Sequence, residues 1–289
     1  MDRPALPRRG WPSPSRRRSE LAKARRGAYL KPMCGRLAIT LPPQAIRALF
    51  AYAEQPNFPP RYNVAPTQPV PVVRMEREPG GERKQRHFVL VRWGFLPGFV
   101  KDPKDYPLVI NARAETLAQK PSFRNALKRR RCIFIADAFY EWRRPPEGAR
   151  KGAPPAQPFL FRRRDGAPMA IGGLWETWTG PNGEEVDTAC IVTTHANGPI
   201  SAIHHRMPVI LEPEHFDTWL DCEAHDADEA SLLMRPAEDD VLEFWPISTA
   251  VNKVVNDGPE LMAPVGEIER VEPKPKKAVK PAAQGDLFG

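Results

Sequence analysis

Val70-Pro71-Val72-Val73-Arg74-Met75 and His87-Phe88-Val89-Leu90-Val91-Arg92-Trp93, separated by Pro79-Gly80-Gly81, are the stretches on which the fold class turns. Both are rich in β-branched and aromatic residues and read as strands, and the Pro-Gly-Gly step reads as a turn, so the pair predicts a hairpin. Working outward, buried or half-buried strands are expected at 131–136, 159–163, 170–174, 189–194, 208–211 and 243–246. Short helices are expected at 42–50, where Ile46, Leu49 and Phe50 share a face, and at 121–128, 213–220 and 230–234. Many short strands with a few helices and no regular βαβ alternation argue for an α+β domain.

A chain of 289 residues with 41% hydrophobic content can build one sizeable core. The boundaries predicted from composition are a basic extension over 1–32, one domain over 33–263 and a flexible tail over 264–289 rich in Pro, Lys and Ala. The net charge of +8 invites a nucleic-acid reading, but residues 1–32 carry ten basic side chains against Asp2 and Glu20, which accounts for all of it. From Met33 onward positive and negative side chains balance, so phosphate affinity in the domain requires a local basic patch. The extension reads as a nucleic-acid arm, an Arg-rich targeting peptide or the product of an upstream start, and Met33 is itself a plausible initiator. No apolar run approaches a bilayer span, so a cytoplasmic protein is expected, without membrane association and acting as a monomer. Cys34, Cys132, Cys190 and Cys222 show no CxxC spacing, and reduced thiols are expected.

The chain contains no G-x-S-x-G, G-x-G-x-x-G, Walker loop or H-E-x-x-H. The adjacent His204 and His205 would point to opposite faces of an extended segment, which disfavours a shared metal ion; neither a metal nor a cofactor is expected. What remains is a series of segments: Met33-Cys34-Gly35-Arg36, Arg61-Tyr62-Asn63-Val64-Ala65-Pro66-Thr67, Trp93-Gly94-Phe95, Asn111-Ala112-Arg113-Ala114-Glu115, Tyr140-Glu141-Trp142 and His204-His205-Arg206-Met207-Pro208.

Together, and in this order, these segments resemble the SRAP (SOS response-associated peptidase) family over about residues 33 to 260. The resemblance implies a compact α+β domain with a branched, partly barrel-like antiparallel sheet. It also implies a DNA-damage protein that binds abasic sites in single-stranded DNA and forms a stable thiazolidine through an N-terminal cysteine exposed by removal of methionine. The position has a physical reason. A ring-opened abasic sugar is an aldehyde, and an amine and a thiol on adjacent carbons can close on it as a five-membered ring. Only an N-terminal cysteine offers both, with reference pKa values of about 7.7–8.0 and about 8.5. An internal Cys34 has only an amide nitrogen, so residues 1 to 33 must be removed or never made for this chemistry to run.

By the same resemblance Glu141 is the acid/base or positioning group beside the amine and thiol, and His204, in the H-x-R-M-P register, transfers the proton in sugar-ring opening. Asn111 would hydrogen-bond the opened sugar or the cysteine, and Arg36, Arg113 and Arg206 would hold flanking phosphates. Trp93 and Phe95 would contact bases beside the lesion, although strand-end aromatics are more often core. Asn63 and Pro66 would shape the same pocket, with Trp142 also on the DNA side. Two rival readings use the same residues: a cysteine autopeptidase with Cys34 as nucleophile, and a non-covalent reader of single-stranded DNA. At the far end Gln284-Gly285-Asp286-Leu287-Phe288 resembles the short peptides that bind bacterial sliding clamps, with Gln284, Leu287 and Phe288 as its contacts.

Overall fold

The computed structural model describes residues 34–78, 80–81, 83–145 and 156–266; the expected extension over 1–32 and the Gln284, Leu287 and Phe288 peptide lie outside the described residues. Thirteen strands run in chain order among them: β1 (Leu37–Ile39), β2 (Arg61–Val64), β3 (Pro69–Arg77), β4 (Lys84–Trp93), β5 (Asn111–Arg113), β6 (Arg131–Ala136), β7 (Ala138–Arg143), β8 (Gln157–Arg163), β9 (Met169–Thr179), β10 (Glu185–His195), β11 (Arg206–Pro208), β12 (Ile210–Leu211) and β13 (Leu242–Pro246). The helices are α1 (Pro43–Phe50), α2 (Pro121–Arg129), α3 (Gly198–Ser201), α4 (Phe216–Leu220) and α5 (Ala227–Ser231). None is long and apolar enough to cross a membrane.

The predicted hairpin is β3–β4, paired antiparallel from Pro69↔Arg92 to Arg77↔Lys84. β3 also pairs with β6, β6 with β9, β9 with β10, and β10 in parallel with β4, so these five strands close into a barrel. β10 is the branch point, since it also pairs with β5 in parallel and with β11 antiparallel. The branched, partly barrel-like sheet and the α+β class hold, with two parallel pairings added that strand patterning alone did not reveal.

The interior of so small a barrel is filled by its own side chains. Phe134 fills part of it against Trp93, ring centroids 6.3 Å apart, and both are fully buried. Gly173 makes room: a Cβ there would stand 2.6 Å from the Phe134 ring and 3.1 Å from the Cys190 carbonyl oxygen. A second sheet, in the order β13-β8-β7-β1-β2, lies beside the barrel and shares its chain through β6 and β7, which only Asp137 separates. Its core holds Ala38, Ala138, Tyr140, Leu160, Ile247, Val251 and Leu261, with Trp142 packed against them.

Three expected elements shift. The strand at 208–211 is two short strands, because Val209 donates its N–H to Val192 on β10 while its carbonyl accepts from Gly172 on β9. β11 therefore belongs to β10 and β12 to β9. The helix expected at 230–234 starts earlier, as α5, because Asp226 caps the N–H groups of Asp228 and Glu229 while Glu229 returns to Asp226, a reciprocal cap that fixes the start. The helix expected at 213–220 is a single 3-10 turn followed by α4.

Candidate active site

β1 and β7 pair antiparallel through Leu37↔Phe139 and Ala38↔Ala138, and Tyr140 donates its N–H to the Arg36 carbonyl. Continuing that pairing toward Cys34 brings its nitrogen opposite Glu141. The Cys34 N–H donates to Glu141 Oε2 at 2.8 Å, and the Trp142 N–H donates to Oε1 at 3.0 Å. Cys34 is only 1% exposed and Glu141 2%. Burial, reinforced by Glu141, pushes the thiol well above its ordinary value. Burial likewise raises the Glu141 carboxyl, while the two N–H donors and the charges of Arg144 and His205 work against that rise.

The barrel supplies the rest. Parallel pairing sets Asn111 beside Ile191 and Arg113 beside Thr193, and antiparallel pairing sets Arg206 opposite His195. Thus Asn111, Arg113, His204, His205 and Arg206 gather about the C-terminal end of β10. Gly35 joins the two groups, since a Cβ on it would sit 3.6 Å from the Ile110 side chain, one residue before Asn111.

His204 and His205 are not on opposite faces. The chain bends there, and the two rings lie 4.4 Å apart at 32°. Nδ1 of His204 sits between the Arg206 N–H at 3.2 Å and the Arg206 carbonyl oxygen at 3.4 Å, which fixes the ring against the bend. Burial, with the charges of Arg144 and Arg206, lowers the His204 value. His205 is also lowered, chiefly by burial, and it is the histidine whose charge interacts with Glu141.

Several expected DNA contacts are placed differently. Arg206 is buried, and its guanidinium is occupied by Glu115, with Nη1 to Oε1 at 2.9 Å and Nη2 to Oε2 at 3.0 Å, and by the Thr193 carbonyl. A cation already paired with a carboxylate in this way is not offered to phosphate. Trp93 and Phe95 are fully buried, Trp93 donating its indole N–H to the Ile110 carbonyl and Phe95 packing on Phe123 at 5.5 Å. They are core side chains with no exposed ring face, which corrects the expectation that they are open to bases. Gly94 between them has φ 146, and a Cβ there would meet Leu108 at 2.6 Å, so the turn that sends Phe95 inward requires glycine.

Asn63 is completely buried too, its amide donating to the carbonyls of Val251, Lys253 and Asn256. It is an internal side chain that fixes the segment around Val251 to Asn256. Pro66 is half-buried in the turn between β2 and β3. Trp142 is half-buried with its indole N–H on Asn252 Oδ1 at 2.8 Å. Arg113 is exposed, and Arg36 is half-buried with no ion pair to a carboxylate among the described residues.

Two participants escaped the sequence reading. Glu115 stands inside the quoted Asn111–Glu115 segment, yet its partner is 91 residues away in sequence. Arg144, whose charge acts on both Glu141 and His204, follows Trp142 by two residues and carries no pattern of its own. All four cysteines are free, and Cys132 and Cys190 are buried in the barrel.

The sequence model of a family described as SOS response associated peptidase (SRAP) matches residues 33–254. The chain is 35% identical over 233 residues to the abasic site processing protein YoqW of Bacillus subtilis, covering 80% of this chain and 99% of that one. It is 33% identical over 277 residues to the abasic site processing protein HMCES of Gallus gallus, covering 85% of this chain and 81% of the relative. Among solved structures, a protein of Bacteroides thetaiotaomicron superposes with a TM-score of 0.67 at 24% identity, over 80% of this chain and all of that one. A protein of Bordetella bronchiseptica gives 0.60 at 27% identity, over 74% of this chain and 100% of that chain.

Proposed function

The chain belongs to the SOS response associated peptidase (SRAP) family, and from that footing we propose that it processes abasic sites in single-stranded DNA by trapping them covalently, with Cys34 as its N-terminal residue. The observation that carries the reading is the 2.8 Å contact between Glu141 Oε2 and the Cys34 nitrogen. That nitrogen is the atom that would attack the sugar aldehyde.

The steps balance as follows. The Cys34 amine adds to the C1′ aldehyde of the opened sugar, and loss of one water gives an imine. The thiol then adds to the imine carbon, forming the C–S bond, while its proton passes to the ring nitrogen. Glu141 relays protons at the nitrogen and sulfur, a role suited to a carboxyl held above its ordinary value. His204 assists ring opening by proton transfer, and Asn111 hydrogen-bonds the opened sugar. Arg36 and Arg113 hold the flanking phosphates, and Trp142 lies on the DNA side.

Backbone geometry supports the N-terminal assignment. Cys34 has φ 44, a left-handed value that costs a non-glycine residue on the order of 1–3 kcal/mol. A residue with no predecessor has no preceding carbonyl to clash with, so the cost disappears once the chain begins at Cys34. The autopeptidase alternative uses the same residues and differs in outcome: it would turn over peptide bonds, whereas a trap forms one stable adduct per protein.

The test is incubation of protein beginning at Cys34 with an abasic single-stranded oligonucleotide, followed by a denaturing gel and intact mass. A one-to-one adduct lighter than the sum by one water is expected, and Cys34→Ala abolishes it; a normal adduct yield from Cys34→Ala overturns the mechanism. Beyond the domain, Gln284, Leu287 and Phe288 are proposed to bind a bacterial sliding clamp, which would concentrate the protein where abasic single strands arise.

A further inference from the structure

With Trp93 and Phe95 buried, the apolar surface that meets bases beside the lesion must come from elsewhere. The segment from Thr249 to Asp257 combines exposed apolar side chains with a fixed backbone and is tied to the site itself. Val255 is 87% exposed and Val254 40%, and Lys253 beside them is exposed. Bare valines at a loop tip usually accompany slack backbone, but this tip is tied down on every side. The Asn63 amide holds the carbonyls of Val251, Lys253 and Asn256, Asn256 Nδ2 donates to the Ala250 carbonyl, and Asp257 accepts from the N–H groups of Tyr62 and Asn63 and from Arg61 Nε. Its remaining tie leads straight to the site: Asn252 Oδ1 accepts the Trp142 indole N–H, and the Trp142 backbone N–H donates to Glu141.

We infer that this tip is a base contact of the trap: Val254 and Val255 pack against the nucleobase next to the abasic sugar, and Lys253 pairs with the phosphate that follows it. The inference rests on the abasic-site reading above. An abasic sugar leaves its neighbouring base without a stacking partner on one side, and that exposed face is apolar. A rigid apolar knuckle flanked by a cation is complementary to such a face and its phosphate, costs little ordering on binding, and reads no sequence, which suits a lesion that falls anywhere.

The experiment uses protein beginning at Cys34 and a single strand carrying a tetrahydrofuran abasic analogue, which binds without reacting, with 2-aminopurine on one side of the lesion or the other. The wild-type chain should change the emission of 2-aminopurine on one side only. Val254→Ser with Val255→Ser should weaken binding about tenfold, the scale of losing one base contact, and abolish that change. Its melting midpoint should stay put because both side chains face solvent. Lys253→Ala should lower the salt slope by about one. Unchanged affinity and emission in the double variant overturn this inference alone, whereas failure of the wild-type chain to prefer the abasic strand over an undamaged one overturns it together with the proposed function.

Discussion

Arg206 and Glu115 meet in a two-point ion pair that ties the segment carrying His204 and His205 to the one carrying Asn111 and Arg113. Arg206 is buried, whereas Glu115 is partly exposed and linked as well to His195 at 3.2 Å. The arrangement is a brace between two strands that β10 already holds in register.

Removing either partner should therefore act on geometry before affinity. Arg206→Ala and Glu115→Gln should each lower stability by about 1–3 kcal/mol in urea titrations, the range for an unpaired buried polar group. Both should slow adduct formation while leaving the salt slope of single-strand binding unchanged. Arg113→Ala should do the opposite, lowering the slope by about one with little change in stability. A lowered slope in Arg206→Ala would return Arg206 to the phosphate contacts.

Burial holds the Glu141 carboxyl above its ordinary value, which gives its titration a definite sign. The unfolded chain releases this proton near the usual glutamate value of about 4.3, and the folded chain releases it only at higher pH. The stability contributed is thus fully present below the unfolded value and is lost as pH rises through the folded one. On acidification from about pH 7 to about pH 4.5 the wild-type protein should gain stability relative to Glu141→Gln. A gap between the two that stays constant with pH would show that Glu141 ionises as an ordinary surface carboxylate.

His204→Ala should slow adduct formation or reversal, and His205→Ala should matter less. Single-turnover crosslinking of both variants checks this. Because His205 is the ring whose charge interacts with Glu141, the reverse ranking would assign the proton transfer to it and displace His204 from the H-x-R-M-P register.

A chain that keeps residues 1–33 should not crosslink, because Cys34 then offers an amide nitrogen in place of an amine. Mass spectrometry of the natural protein should find Cys34 first. Full crosslinking by a chain shown to retain Met1 would refute the N-terminal mechanism.

The peptide ending Gln284-Gly285-Asp286-Leu287-Phe288-Gly289 should bind a bacterial sliding clamp in the micromolar range, about −8 kcal/mol. Leu287→Ala with Phe288→Ala should remove binding and leave crosslinking in solution intact. A calorimetric titration with no heat from the unmodified peptide would dispose of the idea.

The hairpin, α1, α2 and β6 were legible because each pairs a clear hydrophobic period with Pro, Gly or a polar run at its ends. β1, β2, β5 and β11 were not, because strands of three or four residues are too short to show a period, and they are recognised only by the partners they find. Cys34 and Glu141 were identified through motifs, but the distance between them depends on the β1–β7 register. Trp93 and Phe95 show the limit most clearly. An aromatic at a strand end faces core or solvent according to what closes over it, and here that is a barrel completed by β10, about a hundred residues later. Asn63 fails for the same reason: its three carbonyl partners lie 188 to 193 positions away.

The depth of the Cys34 thiol bears on what the protein refuses to react with. An amine and a thiol standing together in open water condense with any small aldehyde that metabolism produces, and a thiolate there is oxidised by peroxide. At 1% exposure and with its ionisation suppressed, this sulfur is shielded from both. A wandering aldehyde brings no phosphates for Arg36 and Arg113 and no neighbouring base to anchor it while it reaches inward. On the proposed mechanism such a warhead would stay unspent among small decoy aldehydes, its selectivity set by how hard the sulfur is to approach, more than by how reactive it is.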